Sequence, residues 1–256
     1  MIPFYDASST TADLVAVEIL RSIHTTLSSA GYDYVIIGAA ARDLAVHGPA
    51  AGRPRRVTKD VDIAVAVAVG PAYQRLLSEL GEKDQEPQRI RVLGCPVDVV
   101  PFAAGAREVR LGSMTLNVLG LREATDHPAL VQVSDGLVLP VSAIQAQAAL
   151  KILAWGDRAP GTQKDAGDLG EILEASSRGL FADLAWEDDE ALDSCDGDIA
   201  MMGPYRLGSS ARALLRDESS TAVRDILDAR GKALGSRLRV PEGPELLAAF
   251  RRGLGR

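Results

Sequence analysis

Three aspartates in this chain have the type and spacing to hold a divalent cation. Asp60 and Asp62 lie in Thr58-Lys59-Asp60-Val61-Asp62-Ile63-Ala64-Val65, and Asp98 lies in Pro96-Val97-Asp98-Val99-Val100-Pro101. Side chains alternate faces along a strand, so Asp60 and Asp62 point one way while Val61, Ile63 and Val65 point into a core. Two neighbouring carboxylates repel each other, and the pair costs stability unless a cation sits between them. Oxygen-only ligands suit Mg²⁺, which keeps some waters and takes other ligands from substrate phosphates. Taken alone, the Asp-x-Asp pair fits a solvated strand end equally well. Asp98 adds weight, because an acid within an apolar strand needs a partner. If its strand lies beside the first, three carboxylates converge.

The elements that must position these residues can be read from hydrophobic period and breakers. A helix is expected from about Ala12 to Ser29, with Leu14, Val17, Leu20, Ile23 and Leu27 on one face. Thr10 and Thr11 are available as caps, and Gly31 ends it. Tyr34 to Ile37 reads as a buried strand, Gly38 stops it, and Ala39 to Val46 reads as a helix. That succession offers backbone N–H groups and a positive helix end at Gly38–Ala40, a natural site for phosphate. A Gly-, Pro- and Arg-rich loop, His47 to Val57, leads to a strand over Val61–Val69 and a helix over Pro71–Leu80. Arg89–Leu93 and Val97–Val100 read as strands, the latter closed by Pro101. Further strands are expected within Arg107–Val118 and at Leu137–Leu139. After Pro140 the pattern turns helical, over Val141–Trp155, Ala166–Ser176 and most of Thr221–Leu254. Two domains are expected, an α/β (α+β) domain with a small mixed sheet over 1–140 and a helical domain over 141–256.

Composition narrows the function classes. Of 256 residues 46% are apolar and 25% charged, a soluble globular balance, and with 4% aromatics the core must be aliphatic. No apolar run is long enough to span a bilayer, and the N-terminus lacks the regions of a secretory signal. Cys95 and Cys195 form neither a metal spacing nor a disulfide framework, so a cytoplasmic location with no membrane partner is expected. The net charge of -7 argues against coating nucleic acid by bulk electrostatics. Charge is uneven, however, with acids dominating Asp165–Asp198 and arginines dominating Arg206–Arg256. Glu187-Asp188-Asp189-Glu190 lacks a calcium-loop pattern and reads as a solvated face. Arg53, Arg55, Arg56 and Lys59 precede the aspartate pair, either as a solvated loop or as contacts to a polyanion. His24, His47 and His127 are dispersed. Trp155 and Trp186 read as packing anchors.

The segments VIIGAAARDLAVHG, RVTKDVDIAV and CPVDVVPF together resemble the polymerase-β-type nucleotidyltransferase superfamily. Its pattern runs strand, Gly-Gly or Gly-Ser, helix, Asp-x-Asp or Asp-x-Glu, then a third acid on a neighbouring strand. Gly38 matches the first glycine, Asp60 and Asp62 the metal pair, and Asp98 the third acid. Ala39 stands where the family has Gly or Ser, so phosphate contact there would come from backbone N–H. Ala41-Arg42-Asp43-Leu44 resembles the head segment of CCA-adding enzymes. The order of Lys151, Ala154, Asp157-Arg158, Lys164-Asp165 and Asp168-Leu169 is similar to AbiEii-type toxins of type IV toxin–antitoxin systems. That resemblance implies that Lys151 and a downstream aspartate, Asp165 ahead of Asp168, support a nucleotide.

The resemblance implies a nucleotidyltransferase fold with a helical C-terminal domain completing the nucleotide cleft. It implies an enzyme with two Mg²⁺ ions that moves a nucleoside monophosphate from an NTP such as ATP to an acceptor hydroxyl and releases pyrophosphate. Asp60, Asp62 and Asp98 would be its metal-binding and catalytic residues. Gly38, Ala39, Arg42, Thr58, Lys151 and Asp165 would bind nucleotide. A toxin-like enzyme acting on tRNA, with a cognate antitoxin, is expected. The alternatives are an aminoglycoside-like small-molecule nucleotidyltransferase and a catalytically silent member that binds nucleotide or protein.

Overall fold

The computed structural model describes residues 2–9, 16–50, 60–158 and 161–255. They fall into two units, one drawn from 1–48 and 53–143, the other from 49–52 and 144–256. The first is mixed α/β and the second is helical.

The first unit is built on an eight-stranded sheet of order β1-β9-β10-β2-β3-β6-β5-β4. Its strands are β1 (Phe4–Asp6), β2 (Tyr34–Ile37), β3 (Val61–Ala66), β4 (Glu82–Lys83), β5 (Arg89–Val92), β6 (Cys95–Phe102), β9 (Ala129–Ser134) and β10 (Leu137–Val141). Strands β7 (Glu108–Leu111) and β8 (Met114–Asn117) form a separate hairpin. β3 runs parallel to β6 and antiparallel to β2, while β5 runs antiparallel to β6. The sheet is larger than the small one expected, because β1, β4 and β9 join it.

Alternation along β3 and β6 sends Val61, Ile63, Val65, Val97 and Val99 into one core. Helix α1 (Val17–Ser29) meets them there with Leu20, Ile23 and Leu27, and α3 (Pro71–Leu80) with Tyr73, Leu76 and Leu77. The opposite faces of β3 and β6 are thereby left to Asp62 and Asp98. Strand β6 continues past Pro101, where a stop was expected. β5 pairs only with Cys95–Asp98 and β3 only with Val97–Phe102. Pro96 and Pro101 therefore each lie where one neighbouring strand is absent, and a missing N–H there interrupts less of the ladder.

After β2 the chain enters α2 (Gly38–Arg42) and then a π-helical turn over Asp43–His47. A short helix, α4 (Leu121–Asp126), precedes β9. The second unit holds α5 (Ile144–Arg158), α6 (Lys164–Ala175), α7 (Gly179–Trp186), α8 (Asp189–Ser194), α9 (Ile199–Leu214), α10 (Asp217–Gly235) and α11 (Gly243–Leu254). α5 begins at Ile144, not at Val141, which still belongs to β10. Trp155 is buried in this unit with the Arg230 guanidinium 4.4 Å from its ring centroid, whereas Trp186 is exposed. Among the described residues no helix is long and apolar enough to cross a membrane. Cys95 and Cys195 are not joined in a disulfide.

Candidate functional site

Asp62 and Asp98 are register partners on adjacent parallel strands, so both side chains leave the same face of the sheet. Asp60 lies one residue before β3 and is half-buried. Its charge reaches the same strand ends. Burial first, and then the nearby Asp60 carboxylate, push the Cys95 thiol up from its ordinary value.

Gly38 is required beside Asp62 for two reasons. Its φ is +69°, in the left-handed region that favours glycine. A Cβ at this position would also overlap Asp62 Oδ2 and stand 2.9 Å from Asp62 Cγ. The first glycine of the strand–glycine–helix sequence thus makes room for a carboxylate. Ala39 behind it is buried.

Asp98 has a partner that its sequence neighbourhood did not disclose. Arg89 donates from Nε to Asp98 Oδ1 at 2.7 Å and from Nη2 to Asp98 Oδ2 at 2.8 Å. This bidentate bond, and secondarily the charges of Asp98, Glu86 and Asp60, raise the Arg89 guanidinium above its ordinary value. Arg89 Nη1 also lies 3.4 Å from Glu86 Oε1. Below Asp98, the Tyr73 hydroxyl donates to the Val99 carbonyl at 2.7 Å, and burial, assisted by Asp98, pushes that phenol up.

The register that brings Arg89 to Asp98 follows from a two-residue turn. Leu93 and Gly94 have φ values of 51° and 81°, both positive as a type I′ hairpin requires. With Val92 opposite Cys95, counting back pairs Arg89 with Asp98. The sequence signal was Leu93-Gly94 between two alternating segments.

The donor set is that of a hard divalent cation, since Asp60, Asp62 and Asp98 supply only carboxylate oxygens. In this arrangement the counter-charge of Asp98 is Arg89. Among the described residues no three His, Cys, Asp or Glu side chains stand close enough to hold a metal ion.

Arg42 is 1% exposed, and its Nη2 lies 3.4 Å from Asp43 Oδ1 in the core of the first unit. It presents almost no surface to a ligand there. Thr58 and the basic cluster of Arg53, Arg55, Arg56 and Lys59 lie outside the described residues.

In the second unit, Lys151 of α5 faces Asp165 and Asp168 of α6. Lys151 Nζ lies 2.7 Å from Asp168 Oδ2 and 3.3 Å from Asp165 Oδ1. Arg158 Nη2 lies 3.0 Å from the Asp165 carboxylate. The side chains of Lys151, Asp165 and Asp168 are 14%, 2% and 6% exposed, so this is a nearly buried charge cluster. Both aspartates share the lysine.

No protein-family model and no curated protein matches the chain. Two solved structures are similar to it in part. The antibiotic-resistance factor ANT(2'')-Ia aligns over 70% of this chain and 95% of its own, at 13% identity and a TM-score of 0.40. An antigenic nucleotidyltransferase-like protein from Paracoccidioides brasiliensis aligns over 88% of this chain and 94% of its own, at 17% identity and a TM-score of 0.41.

Proposed function

We propose that this chain is a nucleotidyltransferase that moves a nucleoside monophosphate from an NTP to an acceptor hydroxyl. The observation that carries this reading is the in-register pair Asp62 and Asp98 on parallel neighbours, with Asp60 at the start of the same strand. In the transfer, the acceptor oxygen forms a bond to the α-phosphorus and the bond to the bridging oxygen of the β-phosphate breaks. Pyrophosphate leaves, and the hydroxyl proton passes to a carboxylate. Asp60, Asp62 and Asp98 would hold Mg²⁺, which when bound supplies positive charge for the entering and leaving oxygens.

The remaining work belongs to the chain. Gly38 keeps the Asp62 carboxylate where the strand directs it. Asp98, once released by Arg89, receives the acceptor proton. Lys151, with Asp165 and Asp168 fixing its ammonium, would offset charge on the β- and γ-phosphates. Such catalysis is mostly positioning and electrostatics. We take tRNA as the acceptor and a toxin-like role, paired with an antitoxin, as the finer reading. Its support is the family resemblance, together with the arginine-rich 206–256 segment.

A second reading is favoured by one observation. Arg89 occupies both oxygens of Asp98, as it would in a silent member that binds nucleotide without turnover.

One experiment separates the readings. The protein is incubated with each labelled NTP, Mg²⁺, and total cellular RNA or protein, beside Asp62→Asn. Label on tRNA that the variant fails to add supports the full proposal. Label on protein moves the acceptor. NTP binding with no label on anything leaves the silent member standing and removes the enzyme.

A further inference from the structure

A second basic site lies wholly within the helical unit. A cavity of about 780 Å³ is lined by Arg224, Leu227 and Asp228 of α10, Ala248, Arg251 and Arg252 of α11, and Gly255. That volume falls in the range of small-molecule sites. Three guanidiniums face one carboxylate. Asp228 is taken by Arg251, which donates to it through Nη2. Arg224 and Arg252 form no ion pair among the described residues. Arg224 Nη2 donates to the Leu254 carbonyl at 3.4 Å, while its Nε is buried with no hydrogen-bond partner. Arg252 Nη2 reaches only Cys195 Sγ, at 3.7 Å, and a thiol sulfur is a weak acceptor. Two cations therefore border a half-open cavity with neutral or sulfur acceptors as their partners.

The rest of the lining is apolar. Leu227 is 1% exposed and forms part of the wall with Ala248. Guanidinium planes pair with phosphate oxygens and also stack on flat rings. We infer that this cavity binds a small organic phosphate with a flat apolar body, of nucleoside-monophosphate size, at a site separate from the Asp60–Asp62–Asp98 carboxylates. A concave site bordered by two arginines with no carboxylate partner among the described residues suits a small anion. A nucleic-acid backbone would need phosphate contacts spread along an extended surface, whereas these two arginines border one cavity. This inference does not depend on the chain being a transferase.

The test uses AMP as probe, titrated into the full chain in EDTA and followed by calorimetry and NMR shifts. Adenosine and inorganic phosphate are titrated in parallel. Saturable AMP binding is expected, at least about tenfold tighter than either fragment. Arg224→Gln/Arg252→Gln should weaken it at least about tenfold at an unchanged melting temperature. Ala248→Phe, which fills the cavity from an exposed helix position and keeps every charge, should weaken AMP binding likewise. Asp60→Asn/Asp62→Asn should leave it unchanged. Absence of AMP binding in EDTA overturns the inference. So does binding that Ala248→Phe leaves intact, or that the aspartate variant abolishes. Phosphate binding as tight as AMP removes the organic body. Parental AMP affinity in Arg224→Gln/Arg252→Gln also overturns it.

Discussion

Arg89 and Asp98 face each other across an antiparallel pair, and the guanidinium grips both oxygens of the carboxylate at 2.7 and 2.8 Å. The pair is partly wet, with side chains 30% and 16% exposed, so its strength is below that of a fully buried bridge. Arg89→Ala should lower stability by about 1 kcal/mol, and a double-mutant cycle with Asp98→Asn should recover a coupling of about the same size. Urea denaturation of the four proteins measures it. The proposed transfer adds a second expectation: Arg89→Ala should bind Mn²⁺ more tightly, because one competitor for Asp98 is gone. Unchanged Mn²⁺ affinity by electron paramagnetic resonance would mean that Asp98 is not a metal ligand.

The second prediction concerns Gly38. A methyl group there would overlap the Asp62 carboxylate, and an L-residue would be held at a φ of +69°. Gly38→Ala should cost about 1–3 kcal/mol. Gly38→Ala/Asp62→Ala should recover the part due to overlap and keep the part due to φ. Thermal melts of both variants separate the two contributions. A Gly38→Ala protein as stable as the parent would show that the carboxylate has room to move.

What was legible from sequence, and what was not, follows from the range of the interactions. The central strands were readable because buried aliphatic runs such as Tyr34–Ile37 and Val97–Val100 are bounded by glycine or proline. Asp62 stood out because strand period alone places it opposite Val61 and Ile63. β1 was missed because three residues become a strand only by pairing with Leu130–Gln132, over a hundred positions away. α9 was missed because Gly203, Pro204 and Gly208 look like breakers. In the folded unit, Gly208 lets the Phe250 carbonyl of α11 approach, and Gly253 does the same for Tyr205. The acidic run taken as a solvated face contains Asp188, which caps α8 by accepting from the Ala191 N–H. Arg89 escaped notice because its role depends on counting register through the Leu93-Gly94 turn.

A third prediction is a pH dependence. Burial lowers the His24 pKa below its ordinary 6.5, and His24 Nδ1 shares a 2.7 Å hydrogen bond with the Tyr34 hydroxyl. With a folded value below the unfolded one, the unfolded chain binds more protons as pH falls. Stability is therefore fully present above about pH 6.5 and is lost as pH falls through the folded value. His24→Gln, which carries no titrating proton, should show a flatter urea midpoint below about pH 6.5. A parent and variant with parallel pH profiles would remove His24 as a source of acid sensitivity.

The last prediction concerns Lys151, which the family resemblance implies supports a nucleotide. Its side chain is 14% exposed and its ammonium is the shared counter-charge of two nearly buried aspartates, Asp165 and Asp168. Removing one partner of a buried ion cluster leaves charges that neither water nor protein satisfies. Lys151→Ala should therefore cost about 3 kcal/mol, softened by Arg158, which still reaches Asp165. Lys151→Ala/Asp165→Asn/Asp168→Asn should recover much of that loss, because the two nearly buried carboxylates are gone and Arg158, 57% exposed, is solvated by water. The comparison also decides what the lysine does beyond folding. If Lys151 neutralises triphosphate charge, the triple variant should be folded and stable yet bind NTP at least about tenfold more weakly than the parent. Urea denaturation and NTP titration of the same three proteins give both readings. A triple variant with parental NTP affinity would leave Lys151 a purely structural residue, tying α5 to α6.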